Sequence, residues 1–276
     1  MKRHLLATSL ALALALSPVL AHDLFLIVAD HDVRAATAIE IELFNGTFDK
    51  SENAIARDRM VDVTLVDGAG KQHEIPAASW RDDGPKAIVS LESGPAGTAV
   101  FGVSTKPRLI EMDATAFNDY LVHDGVLDTL EERKKNGTDD QPARESYAKH
   151  VKTVLRVGDQ TSDSWKTVLG YPVEFVPTSD PFALEAGGAL ELSVLADGKP
   201  LPNQLVYASH EGYHGHGADG SHQEAVKTRS DNDGKITVPV QKAGRWYVRL
   251  IHMTEDASGE YDYISQWATL TFEVGG

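Results

Sequence analysis

Short runs that alternate apolar and polar side chains recur through most of the chain, and they restrict its fold more than any other feature. Residues 38–44 alternate in this way and are followed by Asn-Gly, and residues 61–66 alternate before a turn rich in Asp and Gly. A period of two is typical of strands that bury one face. Runs at 87–91 and 98–103 complete four predicted strands of an antiparallel β-sandwich.

The pattern changes to helical spacing near residue 112. Helices are predicted at 114–121 and 126–135. A third is predicted over 144 to about 149, because the preceding Pro142 suits a first helical position. We therefore expect a helical insertion at about 112–150.

About seven further short strands, separated by turn residues, are predicted between residues 171 and 276. Their number and spacing favour an immunoglobulin-like or transthyretin-like sandwich. The expected fold is mainly β, with two antiparallel β-sandwich domains. The first covers 22–170 and carries the helical insertion, and the second covers 171–276.

The first 21 residues have the organisation of a secretory signal peptide. Lys2 and Arg3 precede an apolar run at 5–16, and small residues lead to Ala21. The apolar run is shorter than the roughly 20 residues that span a bilayer, although a retained anchor helix is an alternative. We expect cleavage after Ala21 and a periplasmic protein that does not span the membrane.

The chain contains no cysteine, which excludes disulfides and thiolate metal sites. Removal of Lys2 and Arg3 with the signal peptide takes the formal net charge from −15 to −17. Such acidity argues against nucleic acid or anionic lipid as a partner. It is compatible with attraction of cations, and equally with a simple role in solubility.

Cleavage after Ala21 would make His22 the first residue of the mature protein. Its free α-amino group and its own imidazole could then close a chelate ring on a metal ion. An α-amino group is partly neutral at physiological pH, so a metal displaces its proton at small cost. This donor pair suits Cu(II), Ni(II) or Co(II). The alternative is that cleavage leaves a histidine first by chance.

His252 is the predicted partner of His22. Alternation over 246–253 places Trp246, Val248 and Leu250 on the same strand face as His252, at the rim of a core. The final strand should bring Gln266 opposite, and a loop rich in carboxylates follows. A rim histidine of this kind is a candidate ligand, or alternatively a core-edge histidine bonded to a main-chain carbonyl.

A third candidate is the Gly-rich segment 209–222. It contains four histidines: His210, His214, His216 and His222. Short His-rich tracts are typical of metal binding, and the glycines favour a mobile arm that gathers ions. A solvated loop with incidental histidines is the alternative.

The other histidines of the mature chain fit structural or solvated roles better. His123 ends a predicted helix, His150 lies at a predicted helix-to-strand junction, and His31 and His73 lie in polar turns. A nucleophile elbow, a His-Glu-x-x-His pair and a phosphate loop are all absent from the sequence. An enzyme is therefore the less favoured class.

Several short motifs resemble a family of bacterial periplasmic proteins. The matching segments are 21–26, 146–149, 169–177, 197–201 and 249–253. Members carry NikM-like labels, or are described as periplasmic components of an ABC-type cobalt or nickel transport system. Phe25 stands where the family pattern, Ala-His-Asp-x-Trp, has Trp. The resemblance implies an exported metal-binding protein of uptake or homeostasis, with a membrane metal transporter as a candidate partner.

The leading hypothesis is a periplasmic protein that binds copper, nickel or cobalt through His22 and His252, with the 210–222 loop gathering ions. One alternative is a copper-dependent oxidative enzyme that uses the N-terminal histidine, although the sequence offers no aromatic-rich surface for a polymer. Another is a metal-free ligand-binding sandwich.

Overall fold

The computed structural model describes residues 22–216 and 222–276. The expected signal peptide and its cleavage site lie outside the described residues. The fold is mainly β with antiparallel sheets, as the sequence predicted, and it contains two short α-helices among the described residues. None of the described helices has the length and apolar character needed to cross a membrane.

The strands of the first half are β1 (Asp23–Val28), β2 (Asp32–Val33), β3 (Ala38–Gly46), β4 (Met60–Val66), β5 (Gln72–Glu74), β6 (Trp80–Asp83), β7 (Lys86–Glu92), β8 (Gly97–Thr105), β9 (Arg108–Met112) and β10 (Ala143–Val157). Those of the second half are β11 (Val173–Pro177), β12 (Ala189–Ala196), β13 (Lys199–Pro200), β14 (Leu205–His210), β15 (Gly215–His216), β16 (His222–Gln223), β17 (Val226–Arg229), β18 (Lys235–Pro239), β19 (Gly244–Glu255) and β20 (Tyr263–Val274).

Two helices connect β9 to β10. Helix α1 (Ala114–His123) is capped by Asp113, whose carboxylate accepts a hydrogen bond from the Ala116 main-chain nitrogen. Helix α2 (Leu127–Asn136) ends at Gly137, which adopts the left-handed conformation that glycine tolerates best. Both helices were predicted from the sequence.

The predicted third helix is wrong, because residues 143–157 form the long strand β10. Its first residues pair with β9, from Ala143 opposite Met112 to Tyr147 opposite Arg108. Sheet pairing on both sides of this segment outweighs its local preference for a helix.

A ten-stranded sheet runs through both halves of the chain, in the order β17-β14-β19-β20-β10-β8-β4-β5, with β2 and β9 also on β10. Its centre is the parallel pairing of β10 with β20, from Glu145 opposite Tyr263 to Thr153 opposite Thr271. The two predicted domains therefore share one sheet, and residue 170 lies in the connection from β10 to β11.

Two smaller sheets pack on this large sheet and enclose separate hydrophobic cores. The sheet β1-β3-β7-β6 covers β4, β8 and β10, and the sheet β11-β12-β13 with β18 covers the strands of the second half. The sandwich character predicted for both halves follows from this arrangement. Strand β1 forms the edge of its sheet and lies beside β10 and β20. His22, which precedes β1, therefore lies next to this central pair of strands.

Candidate functional site

Strand β1 is held on its open edge by side chains. Its other edge pairs with β3. On the open edge, the Thr269 hydroxyl donates to the Leu24 carbonyl oxygen at 2.9 Å, and the Thr271 hydroxyl donates to the Leu26 carbonyl oxygen at 2.8 Å. Both threonines are buried in β20. The central sheet thus fixes the strand that follows His22.

Lys149 holds the residue before β1 in the same way, through a main-chain carbonyl oxygen. Its ammonium group donates to the main-chain carbonyl oxygen of His22. The Nζ atom lies 5.2 Å from the ring centre of Trp267 and 5.6 Å from that of Tyr147. Burial lowers the pKa of Lys149 to about 8, although the charge of Asp23 acts in the opposite direction. A buried amine therefore sets the position of the His22 main chain.

The His22 imidazole is oriented by a carboxylate. Its Nε2 atom lies 2.8 Å from Oε2 of Glu52, and 27 % of the His22 side chain is exposed. A neutral imidazole that donates a hydrogen bond through Nε2 keeps the lone pair on Nδ1, which can then bind a metal. Nδ1 is the ring nitrogen that can close a chelate with the α-amino group of the same residue.

His22 lines a cavity of about 480 Å³. Three more histidines line the same cavity: His123, His210 and His214. The structure thus brings the first described residue together with the first part of the His-rich segment. A structural or solvated role was expected for His123, and its position at a helix end carried no signal that it would line the same cavity as His22.

The segment 210–216 is docked on the turn after β3. The Gly212 main-chain nitrogen donates to Oδ1 of Asp49 at 3.1 Å, and Nε2 of His214 lies 3.8 Å from Oδ2 of Asp49. Arg245 pairs with Glu211. Residues 211–214 of the expected mobile arm thus have defined neighbours in the structure.

His210 is enclosed by aromatic rings. Its ring centre lies 4.9 Å from that of Trp246 and 5.4 Å from that of Tyr213. Farther along the loop, His216 and His222 are paired through their main chains in the β15–β16 ribbon. Residues 217–221 lie outside the described part of the chain.

A buried ion cluster forms another wall of the cavity. Nε of Arg249 lies 2.8 Å from Oε1 of Glu224 and 3.5 Å from Oδ2 of Asp23. The Tyr247 hydroxyl donates to the other Glu224 oxygen at 2.5 Å. Burial alone would lower the pKa of Arg249, but Asp23 and Glu224 raise it overall. Burial raises the pKa of Asp23, against the effect of Arg249.

Asp124 follows α1 and also lines the cavity. Its Oδ1 lies 3.2 Å from Nδ1 of His123, and this hydrogen bond raises the pKa of His123. Its Oδ2 is buried and has no hydrogen-bond partner among the described residues. A buried acceptor without a donor is costly, and this oxygen has almost no surface that a molecule in the cavity could reach.

Aromatic side chains form the apolar part of the cavity wall. The ring centre of Phe25 lies 5.3 Å from that of Phe48 and 4.9 Å from that of Tyr247, and the Phe48 and Tyr247 centres lie 4.7 Å apart. All three residues line the cavity. Phe25 thus supplies one of the aromatic rings of this wall.

His252 lies elsewhere in the described structure. It pairs with Gln266 in the predicted register, and its Nδ1 lies 2.9 Å from Oε1 of Gln204. It does not line the cavity that His22 lines. The structure shows His22 in one cavity with His210 and His214. A metal site shared by His22 and His252 remains a prediction.

The histidines expected to be structural have protein partners. Nδ1 of His31 lies 2.7 Å from the Val154 carbonyl oxygen, and burial lowers the pKa of His31 to about 4. His150 contacts Ser104 and Gln266 through its two ring nitrogens.

The donor atoms around the cavity are of the type that binds divalent transition metals, namely imidazole nitrogens and carboxylate oxygens. Within residues 22–216 and 222–276, no group of three or more His, Asp or Glu side chains is arranged to hold a metal ion. The amino nitrogen of a mature His22 would be a donor in addition to these side chains.

Comparisons with known proteins place the chain in a family. No curated protein matches it. Among solved structures it is similar to the D0-D1 domain of intimin, with 12% identity, a TM-score of 0.22, and 92% of this chain and 98% of that chain covered. It is also similar to alpha-2-macroglobulin from Salmonella, with 11% identity, a TM-score of 0.24, and 96% and 16% covered. These TM-scores are too low to identify a shared fold.

A family model described as a domain of unknown function, DUF4198, matches residues 19–254. This match spans most of the sequence, and so the chain belongs to the DUF4198 family.

Proposed function

We propose that this protein is a periplasmic binder of a divalent transition metal, either copper, nickel or cobalt, that acts in metal uptake or homeostasis. The observation that carries the proposal is the shared cavity of His22, His123, His210 and His214. The proposal also rests on the expected cleavage after Ala21, which would give His22 its free amino group. A membrane metal transporter is the proposed recipient of the metal.

The amino nitrogen and Nδ1 of His22 would hold the metal. The contact of Nε2 with Glu52 supports this role, because histidine ligands usually donate their second ring nitrogen to a carboxylate or carbonyl. Such a partner orients the ring and makes the ligating nitrogen more basic.

Acidic side chains on the cavity wall favour a cationic cargo. Asp23, Asp49, Asp124 and Glu224 line it, against the two cations Lys50 and Arg249. Burial strengthens the effect of these charges, since screening by water is reduced in a low-dielectric environment. His210 and His214 would then provide further imidazoles close to the bound ion.

The decisive experiment compares two forms of the mature chain. One begins at His22, and the other carries a single alanine before it. Titration calorimetry with Cu(II) and Ni(II) should show tight binding by the first form and a loss on the order of 100-fold in the second, because the chelating amine becomes an amide.

A form with one alanine added after Gly276 is the control and should bind like the chain that begins at His22. Equal affinities in the forms with and without the N-terminal alanine would contradict the chelate. Circular dichroism should show that all forms are equally folded.

A further inference from the structure

Strand β9 has one edge without a partner strand. Strands β8 and β9 follow each other along the same side of β10. On its far side β8 is covered by β4, but that pairing ends at Met60 opposite Thr105. Within residues 22–216 and 222–276, no strand pairs with β9 on this far side. Every second residue of such an open edge directs its main-chain N–H and C=O groups outward, where another extended chain can bind them.

Four basic residues lie where the pairing of β4 ends and the open edge of β9 begins. Arg57 and Arg59 belong to a single helical turn before β4, and the Lys106 main-chain nitrogen donates to the Arg59 carbonyl oxygen at 2.9 Å. Arg108 is the first residue of β9 and is exposed. In the part of the chain that the structure describes, none of these four side chains forms an ion pair with a carboxylate. Those of Arg59 and Lys106 donate to main-chain carbonyl oxygens instead.

Arg59 and Arg108 lie close together. Arg108 is directly opposite Tyr147, so the two side chains are on one face of the sheet. The guanidinium carbon of Arg59 lies 5.8 Å from the centre of the Tyr147 ring. Burial and, after it, the charge of Arg108 lower the pKa of Arg59, which indicates repulsion between the two guanidinium groups. An anionic group beside both would offset this repulsion.

Cations on other strand edges are neutralised within the chain. Arg81 on β6 pairs with Glu40, and Arg229 on β17 pairs with Asp128. Segments 57–59 and 106–111 instead contain four cations and two carboxylates, in a chain with a formal net charge of −15. A second copy of β9 would bring the same cations to this edge, so pairing between two copies is disfavoured. The charge favours an acidic partner.

We propose that β9 binds an extended acidic segment of a partner protein, which adds to the sheet as a further strand. The main chain of this segment pairs with the open edge of β9, and its Asp or Glu side chains lie beside Arg59 and Arg108. Leu109, which is 51 % exposed, alternates with Arg108 and offers an apolar contact on the other face. A lipid headgroup or a free anion would meet the charges but leave the main-chain edge unpaired. The inference is independent of metal binding at His22.

The test uses the mature chain that begins at His22 and fluorescently labelled ten-residue peptides, with binding measured by fluorescence anisotropy. One peptide alternates Glu with Val, a second alternates Lys with Val, and a third repeats the first with N-methyl groups on its main-chain nitrogens. The Glu peptide should bind about tenfold or more tightly than the Lys peptide, because like charges at an interface repel each other. It should exceed the N-methylated peptide by a similar factor, because strand addition depends on main-chain hydrogen bonds.

Arg108→Glu should weaken binding of the Glu peptide and strengthen binding of the Lys peptide, so that the preference falls by about tenfold or more. A misfolded variant would not gain affinity for the Lys peptide. Arg34→Glu is the matched control and should keep the preference, since Arg34 is exposed and follows β2, which pairs with the opposite end of β10.

Three results would overturn the inference. The first is that the chain binds neither peptide, or binds vesicles of anionic phosphatidylglycerol while the Glu peptide does not bind. The second is equal binding of the Glu peptide and its N-methylated form. The third is an equal preference in the variants Arg108→Glu and Arg34→Glu.

Discussion

Lys149 donates a hydrogen bond from the protein interior to the main-chain carbonyl oxygen of His22. The lysine side chain crosses the rings of Tyr147 and Trp267 to reach this oxygen. A residue expected at the very start of the mature chain is therefore fixed by a buried cation. Chain ends are usually poorly ordered unless they are tied down in this way.

We predict that Lys149→Met loosens β1 without a large loss of global stability. Methionine fills the apolar path, and the cost of burying an ammonium group disappears, so the free energy of unfolding should change by about 1 kcal/mol or less. Amide hydrogen exchange over residues 23–28 should accelerate by about tenfold or more through local opening. Lys166→Met, at an exposed lysine, should leave this exchange unchanged. Equal protection in both variants would show that Lys149 does not hold the strand.

Glu52→Gln tests the orientation of the His22 ring. The amide keeps the shape of the carboxylate but loses its charge, and loss of such a partner commonly lowers metal affinity by about 10–100-fold. Calorimetry with Ni(II) and the mature chain measures this change. Glu132→Gln, on the exposed face of α2, is the matched control. Unaltered affinity in Glu52→Gln would show that the charge of Glu52 does not support metal binding by the His22 ring.

His252→Ala distinguishes the cavity from the site first predicted from the sequence. Because His252 contacts Gln204 and does not line the cavity, its loss should leave the nickel affinity within about twofold, as for independent sites. His210→Ala, inside the cavity, should weaken binding more. A large loss in His252→Ala would restore the pairing of His22 with His252.

Glu145 should make stability depend on pH. Burial raises its pKa to about 7 from 4.5, although hydrogen bonds from Ser265 and Tyr120 oppose the shift. Between these values the folded state binds more protons than the unfolded state, so stability falls as the pH rises from about 4.5 to about 7. The cost is then constant at higher pH.

Glu145→Gln should remove this slope, and at pH 8 it should raise the free energy of unfolding by at most about 3 kcal/mol. Urea denaturation at pH 5 and pH 8 measures both effects. A variant that lowers stability equally at the two pH values would contradict the assignment.

The buried pair of Lys152 and Glu174 connects β10 to β11. The lysine donates to Oε2 of Glu174 at 2.8 Å, and both side chains are almost fully buried. Glu174→Gln removes the countercharge of the ammonium, which keeps only the carbonyl oxygens of Thr167 and Phe175, and should cost about 3–5 kcal/mol. Replacing the lysine as well, as Lys152→Met with Glu174→Gln, should recover much of this loss, because the amide oxygen can still accept from the Leu169 and Gly170 main-chain nitrogens. A double variant less stable than Glu174→Gln would show that the pair itself is stabilising.

Local sequence patterns predicted the strands at 38–44, 61–66, 87–91 and 98–103 and two helices through the periodicity of their apolar residues. The segment at 144–149 defeated the same reasoning. Its charged residues Glu145 and Lys149 suggest a solvated helix, yet both are buried in β10. Their environment comes from Tyr120 and Trp267, which are distant in sequence. Period and propensity carry no information about such contacts.

Local sequence features also identified some residues of the candidate site, but not the cavity that they share. His22 stood out through its place after a cleavage signal, and His210 and His214 through composition. Their common cavity depends on the pairing of β14 with β19 and of β1 with β3, which a single sequence does not specify. His123 faces the cavity because α1 ends there, so only the three-dimensional structure could identify it.

The two threonines of β20 that hold β1 have a consequence for the order in which the molecule assembles. In the sequence, 245 positions separate Leu24 from its anchor Thr269. Strand 263–274 must therefore be available before the open edge of β1 can be covered and before β10 gains its parallel neighbour. Contacts between residues that are so far apart in sequence form slowly. The cavity around His22 should therefore be among the last parts of the protein to form, however early its first residue emerges.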